Sequence, residues 1–145
     1  MKIVLQRVSE ASVAVGGEIV SRIGRGYVAL LGVGESDTKE RAEKMAEKIM
    51  RLRLFPDENG KTNLSSEDIG GGILVVSQFT LYADCKKGNR PSFTNAGSPD
   101  LAEELYDYFI ELCRGKFKKV GHGVFGASMK VSLVNEGPFT VILEE

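Results

Sequence analysis

The sequence predicts an α+β fold: one domain over residues 1–145, with a mostly antiparallel sheet and two helices. Three observations carry this reading. Short β-branched runs separated by glycines fill the N-terminal third, two segments repeat apolar residues at helical spacing, and strand-like runs return near the end. A chain of 145 residues suffices for one full core and is short for two ordinary domains. No repeat, low-complexity stretch or linker divides it.

Met1–Val8 is rich in β-branched apolar residues and reads as the first strand. Ser12–Val15 and Glu18–Ile23 flank Gly16-Gly17, a two-residue hairpin signal. Tyr27–Val33 is a continuous apolar run between glycines, as expected of a strand buried on both faces. Asp37 then opens a helix: Glu40 completes a capping-box-like pair, and Ala42, Met45, Ala46, Ile49 and Leu52 share one face. Pro56–Gly60 is a turn cluster, and Gly70-Gly71-Gly72 is a flexible or close-approach loop before the strand Ile73–Leu81. Ala83–Asn95 is polar, basic and turn-rich, the kind of loop that carries function. Ser98-Pro99 starts the second helix, which carries Leu101, Leu105, Tyr108, Phe109 and Leu112 and stops at Gly115. Ser128–Val134 and Phe139–Leu143 read as two final strands.

The apolar share of 42% and charged share of 27% are those of a folded globular protein. A formal net charge of −1 argues against a protein that grips a long stretch of phosphate backbone, so any nucleic-acid footprint would be local. Gln6 and Arg7 interrupt the opening apolar run, which excludes a signal-peptide reading, and no run reaches the length of a transmembrane helix. Cys85 and Cys113 are expected to stay reduced. The compartment expected is the cytoplasm, with no membrane partner.

Gly121–Gly126 fits the G-x-G-x-x-G spacing of a dinucleotide loop, but a strand rather than a helix follows it, so that reading is rejected. His122 is the single histidine, and a Ser-His-Asp triad would need it as base. Zinc sites usually need further His or Cys partners, and an ordinary loop histidine is the simpler reading. Ser77-Gln78-Phe79-Thr80 interrupts an apolar strand with three hydrogen-bonding side chains. Such groups either face solvent or are offered to a ligand, and composition alone leaves both open. Gly137-Pro138, inside Asn135–Thr140, marks a sharp turn whose cis or trans state the sequence does not give. Two basic clusters, Lys86-Lys87-Gly88-Asn89-Arg90 and Arg114, Lys116, Lys118 and Lys119, are either solvated surface or together one phosphate-binding patch.

These segments are not independent. The opening Met-Lys-x-x-x-Gln-Arg-Val, Ser77–Leu81, Lys87–Phe93, Phe125-Gly126-Ala127-x-Met129 and Asn135-x-Gly137-Pro138-x-Thr140 occur in the order found in the D-aminoacyl-tRNA deacylase family, which the chain resembles over nearly its whole length. The resemblance implies a homodimer of barrel-like subunits with the site at their interface. It implies hydrolysis of the ester joining a D-amino acid, or mischarged glycine, to the 3′-terminal adenosine of tRNA, with neither metal nor cofactor. By resemblance Gly137 and Pro138 form a cis pair, inserted from the partner subunit, whose carbonyls hold the α-amino group and leave no room for an L side chain.

Also by resemblance, Ser77, Gln78, Phe79 and Thr80 form the pocket around the adenosine and the scissile ester, with the Phe79 N–H the best oxyanion donor. Thr80 is ranked as a positioning group, since a nucleophile needs a base and none lies nearby in sequence; the tRNA 2′-hydroxyl assists instead. Phe125, Ala127 and Met129 match the segment lining the adenine end, and Arg7 supports the Gly-Pro loop. Phe139 is bulkier than the valine expected there. Two other readings stand beside this one: an achiral sibling deacylase clearing small L-amino acids, and a non-catalytic tRNA-binding module.

Overall fold

The computed structural model describes all residues, 1–145. The first strand, β1 (Lys2–Val15), is one long element where the sequence suggested two. Its middle, Ser9-Glu10, is polar and exposed, and the register against its neighbour slips there, so a bulge lets the strand bend without ending. Gly16 and Gly17, with φ of +59° and +83°, make the expected tight turn into β2 (Glu18–Ile23). β3 (Gly26–Gly32) returns along the first half of β1. β6 (Gly72–Ser77) runs parallel to β3, and β7 (Lys119–His122) parallel to β6. The sheet is therefore mixed: the pairings of β1 with its neighbours are antiparallel, and the two made by β6 are parallel, which the sequence did not indicate. Parallel pairing needs crossovers, and the helices α1 (Lys39–Arg51) and α2 (Pro99–Arg114) lie in them. A small hairpin, β4 (Phe55–Pro56) with β5 (Thr62–Leu64), sits in the first crossover.

The sheet curls into a nearly closed barrel. Its seam lies between β2 and β7, where the His122 N–H donates to Ser21 Oγ at 3.2 Å. Gly26 and Gly72 are register partners, and a side chain on Gly26 would collide with the Gly72 backbone, so this part of the glycine-rich loop is a close approach. Alternate residues of β3 and β6 face opposite sides, both covered. Tyr27, Ala29, Leu31, Ile73 and Val75 pack outward against helix residues such as Ile49 and Phe109. Val28, Leu74 and Val76 pack inward with Val8, Val13 and Ile23. This gives the strand buried on both faces that the apolar run predicted.

Two local expectations need correction. Asp37 does not cap α1: the N-cap is Thr38, whose Oγ1 accepts from the Arg41 N–H at 3.4 Å. Asp37 is instead drawn inward to the chain's α-ammonium, as described below. The final segment is one strand, β8 (Lys130–Glu144), which pairs antiparallel with β1 on both sides of Gly137-Pro138. The Gly-Pro step is thus a bulge within a strand and not a reversal. The second helix begins as predicted, with Ser98 Oγ accepting from Leu101 N–H at 3.4 Å and Pro99 in the first turn.

Candidate active site

β6 ends at Ser77, earlier than the apolar run suggested, because Phe79–Tyr82 wind into a single 3-10 turn. That turn forms the rim of an open cleft of about 560 Å³ lined by 16 residues, 11 of them hydrophobic and none charged. Ser77, Gln78 and Phe79 line one wall, with Phe125, Ala127 and Met129 among the residues opposite. The Phe79 N–H occupies the first position of the turn, where a helical N–H has no partner within its own helix. The Phe79 ring is 56% exposed and meets Phe93 edge-on, at 5.0 Å between centroids. Thr80 lies just outside the cleft, with its Oγ1 accepting a hydrogen bond from the Gln78 amide. No carboxylate or imidazole is hydrogen-bonded to it. Tyr106 closes the floor, donating to the Val75 carbonyl at 3.1 Å; burial pushes its phenol up to about 12, so it stays a donor.

A buried charge cluster braces the cleft from behind. The Asp37 side chain receives the Met1 α-ammonium at 2.5 Å, the Gly34 N–H at 2.7 Å and Arg41 at 3.1 Å. Burial alone would raise the Asp37 pKa, but these donors together outweigh it and hold the carboxyl below its ordinary value. The Tyr82 hydroxyl, at the end of the 3-10 turn, also reaches Asp37 at 3.4 Å. Gly34 in turn bridges to Ala96, a residue of the cleft wall.

The Gly137-Pro138 segment is built differently. Gln6 faces Thr140 and Val8 faces Asn135, so residues 136–139 bulge out opposite the single residue Arg7. Arg7 Nε donates to the Glu136 carbonyl at 2.9 Å and Nη1 to the Leu54 carbonyl at 2.6 Å, with the guanidinium over the Phe139 ring at 4.5 Å. Asn135 ties the base of the bulge, donating to the Arg7 and Phe139 carbonyls at 3.0 and 2.9 Å and accepting from the Phe139 N–H at 3.0 Å. The Gly137-Pro138 peptide is cis, and Gly137 has φ +147°. A Cβ on Gly137 would lie 2.8 Å from the Phe139 nitrogen and 3.2 Å from Arg7 Nη2. Both residues are exposed, and neither lines the cleft of its own chain.

Comparison with known proteins decides the family. The model of the D-Tyr-tRNA(Tyr) deacylase family matches residues 4–144. The chain belongs to the D-Tyr-tRNA(Tyr) deacylase family. It is 53% identical to the D-aminoacyl-tRNA deacylase of Thermosipho africanus, over 99% of this chain and 97% of that one. It is 55% identical to the D-aminoacyl-tRNA deacylase of Bacillus cytotoxicus, with 99% of both chains covered. Among solved structures, one described as c-Myc DNA Unwinding Element Binding Protein superposes with a TM-score of 0.94 at 46% identity, covering 100% of this chain and 99% of its own. A probable eukaryotic D-amino acid tRNA deacylase shares the fold, with a TM-score of 0.87 at 19% identity over 98% and 97% of the two chains.

Set in this deacylase family, the expected residues fall into two groups. Ser77, Gln78, Phe79, Phe125, Ala127 and Met129 converge on the cleft, Thr80 borders it, and Gly137 and Pro138 stand apart on the bulge. His122 ends β7 with Nδ1 2.8 Å from the Gly123 carbonyl, outside the cleft. No helix follows Gly121–Gly126, in line with the rejection of a dinucleotide loop. Both cysteines are free thiols, Cys113 buried and Cys85 exposed. No helix is long and apolar enough to cross a membrane. Tyr106 was missed: its apolar helical neighbours mark it as core, which it also is. Leu31, Val33, Val76 and Tyr106 line this cleft and belong to the buried core as well.

Proposed function

We propose that the protein hydrolyses the ester linking a D-amino acid, or mischarged glycine, to the 3′-terminal adenosine of tRNA, a chiral proofreading step of translation in the cytoplasm. The observation that carries this reading is the uncharged cleft at the end of β6, which offers apolar walls for a nucleoside and main-chain donors at its rim. The adenosine lies between Phe125, Ala127 and Met129 and the wall of Ser77, Gln78 and Phe79. The Phe79 N–H stabilises the charge that develops on the ester oxygen; one such fixed donor contributes about 10²- to 10³-fold in rate. Thr80, engaged by Gln78, positions the substrate, and the tRNA 2′-hydroxyl assists attack.

The reading includes a second copy of the chain. β8 pairs only with β1, none of its 15 residues is buried, and Val134 and Ile142 are 51% and 69% exposed. Such a long unpaired edge favours a covering partner. In the homodimer, Gly137 and Pro138 of one subunit reach the other's cleft, where their carbonyls hold the α-amino group and crowd out an L side chain. Arg7 and Asn135 hold that pair in place.

Purified protein without added metal is expected to deacylate D-tyrosyl-tRNA and to spare L-tyrosyl-tRNA. Equal rates on both would overturn chiral selection, and binding without turnover would overturn the enzymatic reading.

A further inference from the structure

The two basic clusters do not form one patch. Lys119 is the register partner of Gly72, at the start of β6, whereas the cleft opens at Ser77, at its end. The cluster Arg114–Lys119 thus lies about 16 Å along the strand from the cleft rim. The other cluster adjoins that rim. Asp84 and Ser92 exchange two main-chain hydrogen bonds, at 2.7 and 2.9 Å, closing residues 84–92 into a small hairpin. Gly88, with φ +68°, lies in its tip. Phe93, directly after the hairpin, packs on Phe79, and Ala96 and Gly97 join the cleft wall. The Gly97 N–H is fixed to the Val33 carbonyl at 2.9 Å.

Residues 83–92 are all exposed. None of the chain's ion pairs uses Lys86, Lys87 or Arg90. The one acid of the hairpin, Asp84, accepts from the Lys86 N–H at 2.9 Å, which orders the turn. Three unpaired cations on an ordered turn at the mouth of an uncharged cleft, in a chain of net charge −1, concentrate positive potential at one place.

We propose that the hairpin 84–92 clamps phosphates of the tRNA acceptor stem through Lys86, Lys87 and Arg90 while the 3′ end occupies the cleft; this rests on the deacylase reading above. The clamp reads backbone charge and not base sequence, so it serves tRNAs of every amino acid alike. It supplies the local phosphate footprint that a near-neutral protein needs.

The test compares D-tyrosyl-tRNA with D-tyrosyl-adenosine, which keeps the ester and lacks the stem. Replacing Lys86, Lys87 and Arg90 together by Gln is expected to raise KM for the tRNA roughly tenfold at about 0.15 M salt and to leave kcat in place. The dependence of log(kcat/KM) on log salt becomes shallower by about 0.9 for each phosphate that the variant no longer neutralises. Rates on D-tyrosyl-adenosine stay within about twofold of the parent. Replacing Lys116, Lys118 and Lys119 by Gln leaves the tRNA kinetics and the salt slope unchanged. The clamp is overturned if the hairpin variant keeps the parent's KM and slope, if it loses equally on both substrates, or if the Lys116–Lys119 variant carries the salt dependence. A parent enzyme that hydrolyses neither substrate overturns the deacylase reading itself.

Discussion

The two halves of the candidate site are braced in opposite ways. Ser77–Thr80 ends an interior strand, and the turn it leads into is tied through Tyr82 to the buried Asp37, which holds the Met1 ammonium, the Gly34 N–H and the partly exposed Arg41. Gly137-Pro138 projects from an edge strand and is held by a half-buried arginine and asparagine bonding to main-chain carbonyls. The first brace is part of the core, and the second is a local clip on the surface. Damage to the first should therefore appear as lost stability, and damage to the second as lost turnover in a protein that still folds.

Asp37→Asn presses hardest on this contrast. It leaves the buried ammonium without its counter-charge, and an orphaned buried charge costs about 3 kcal/mol or more; thermal or urea unfolding would measure it. The parent should show the same dependence with pH. Because the folded carboxyl titrates below its ordinary value, its contribution is full above the unfolded pKa, about 3.9. It is lost as pH falls through the lower folded value, so Asp37→Asn should flatten the acid limb of stability. A variant as stable as the parent at pH 7 would remove the first brace from the comparison.

Gly137→Ala tests the second. The added methyl would meet the Phe139 nitrogen and Arg7, in a backbone conformation that alanine rarely adopts. Displacing the carbonyls by about 1 Å predicts a loss on the order of 10²-fold in kcat/KM for D-tyrosyl-tRNA. Gly137 and Pro138 are exposed, so the bulge can shift outward and the unfolding midpoint should move less than for Asp37→Asn. A loss of stability as large as that of Asp37→Asn, with activity kept, would reverse the assignment. The smallest effect expected is that of Thr80→Ala, within about threefold of the parent in kcat, since Thr80 has no base to activate it. Abolished turnover with substrate binding intact would make Thr80 the nucleophile.

The same contrast sorts what was legible in the sequence. Features written in neighbouring residues were read correctly: the Gly16-Gly17 turn, the Ser98-Pro99 helix start and the two-faced burial of residues 27–33. Features made by distant partners were not. Asp37 looks like a helix cap because its competitor, the Met1 ammonium, is 36 residues away. The parallel alignment of β6 with β3 depends on a crossover, and no residue of either strand announces it. Leu81 extends the apolar run of β6, yet its N–H bonds to the Gln78 carbonyl at 3.2 Å within the 3-10 turn, off the ladder. Gly137-Pro138 suggests a reversal, whereas pairing to β1 on both sides makes it a bulge. Of the cleft lining, Ser77, Gln78, Phe79, Phe125, Gly126, Ala127 and Met129 lie in the family motifs, while the rest, Tyr106 among them, reads as core or as ordinary helix and loop.

The early end of β6 has a consequence for mutational mapping. On the proposed reading, the working group of the 3-10 turn is a peptide N–H, and every amino acid except proline carries one at that place. Side-chain truncation through residues 77–80 would leave that donor standing, so a scan of this stretch would record only what the side chains add to binding and positioning. An ester in place of the Phe79 amide removes the donor and keeps the ring on Phe93, whereas proline at that position removes the donor together with the ring and restricts Gln78. Chemistry held in the main chain drifts slowly under substitution, and selection acts on it through the residues that hold the backbone still.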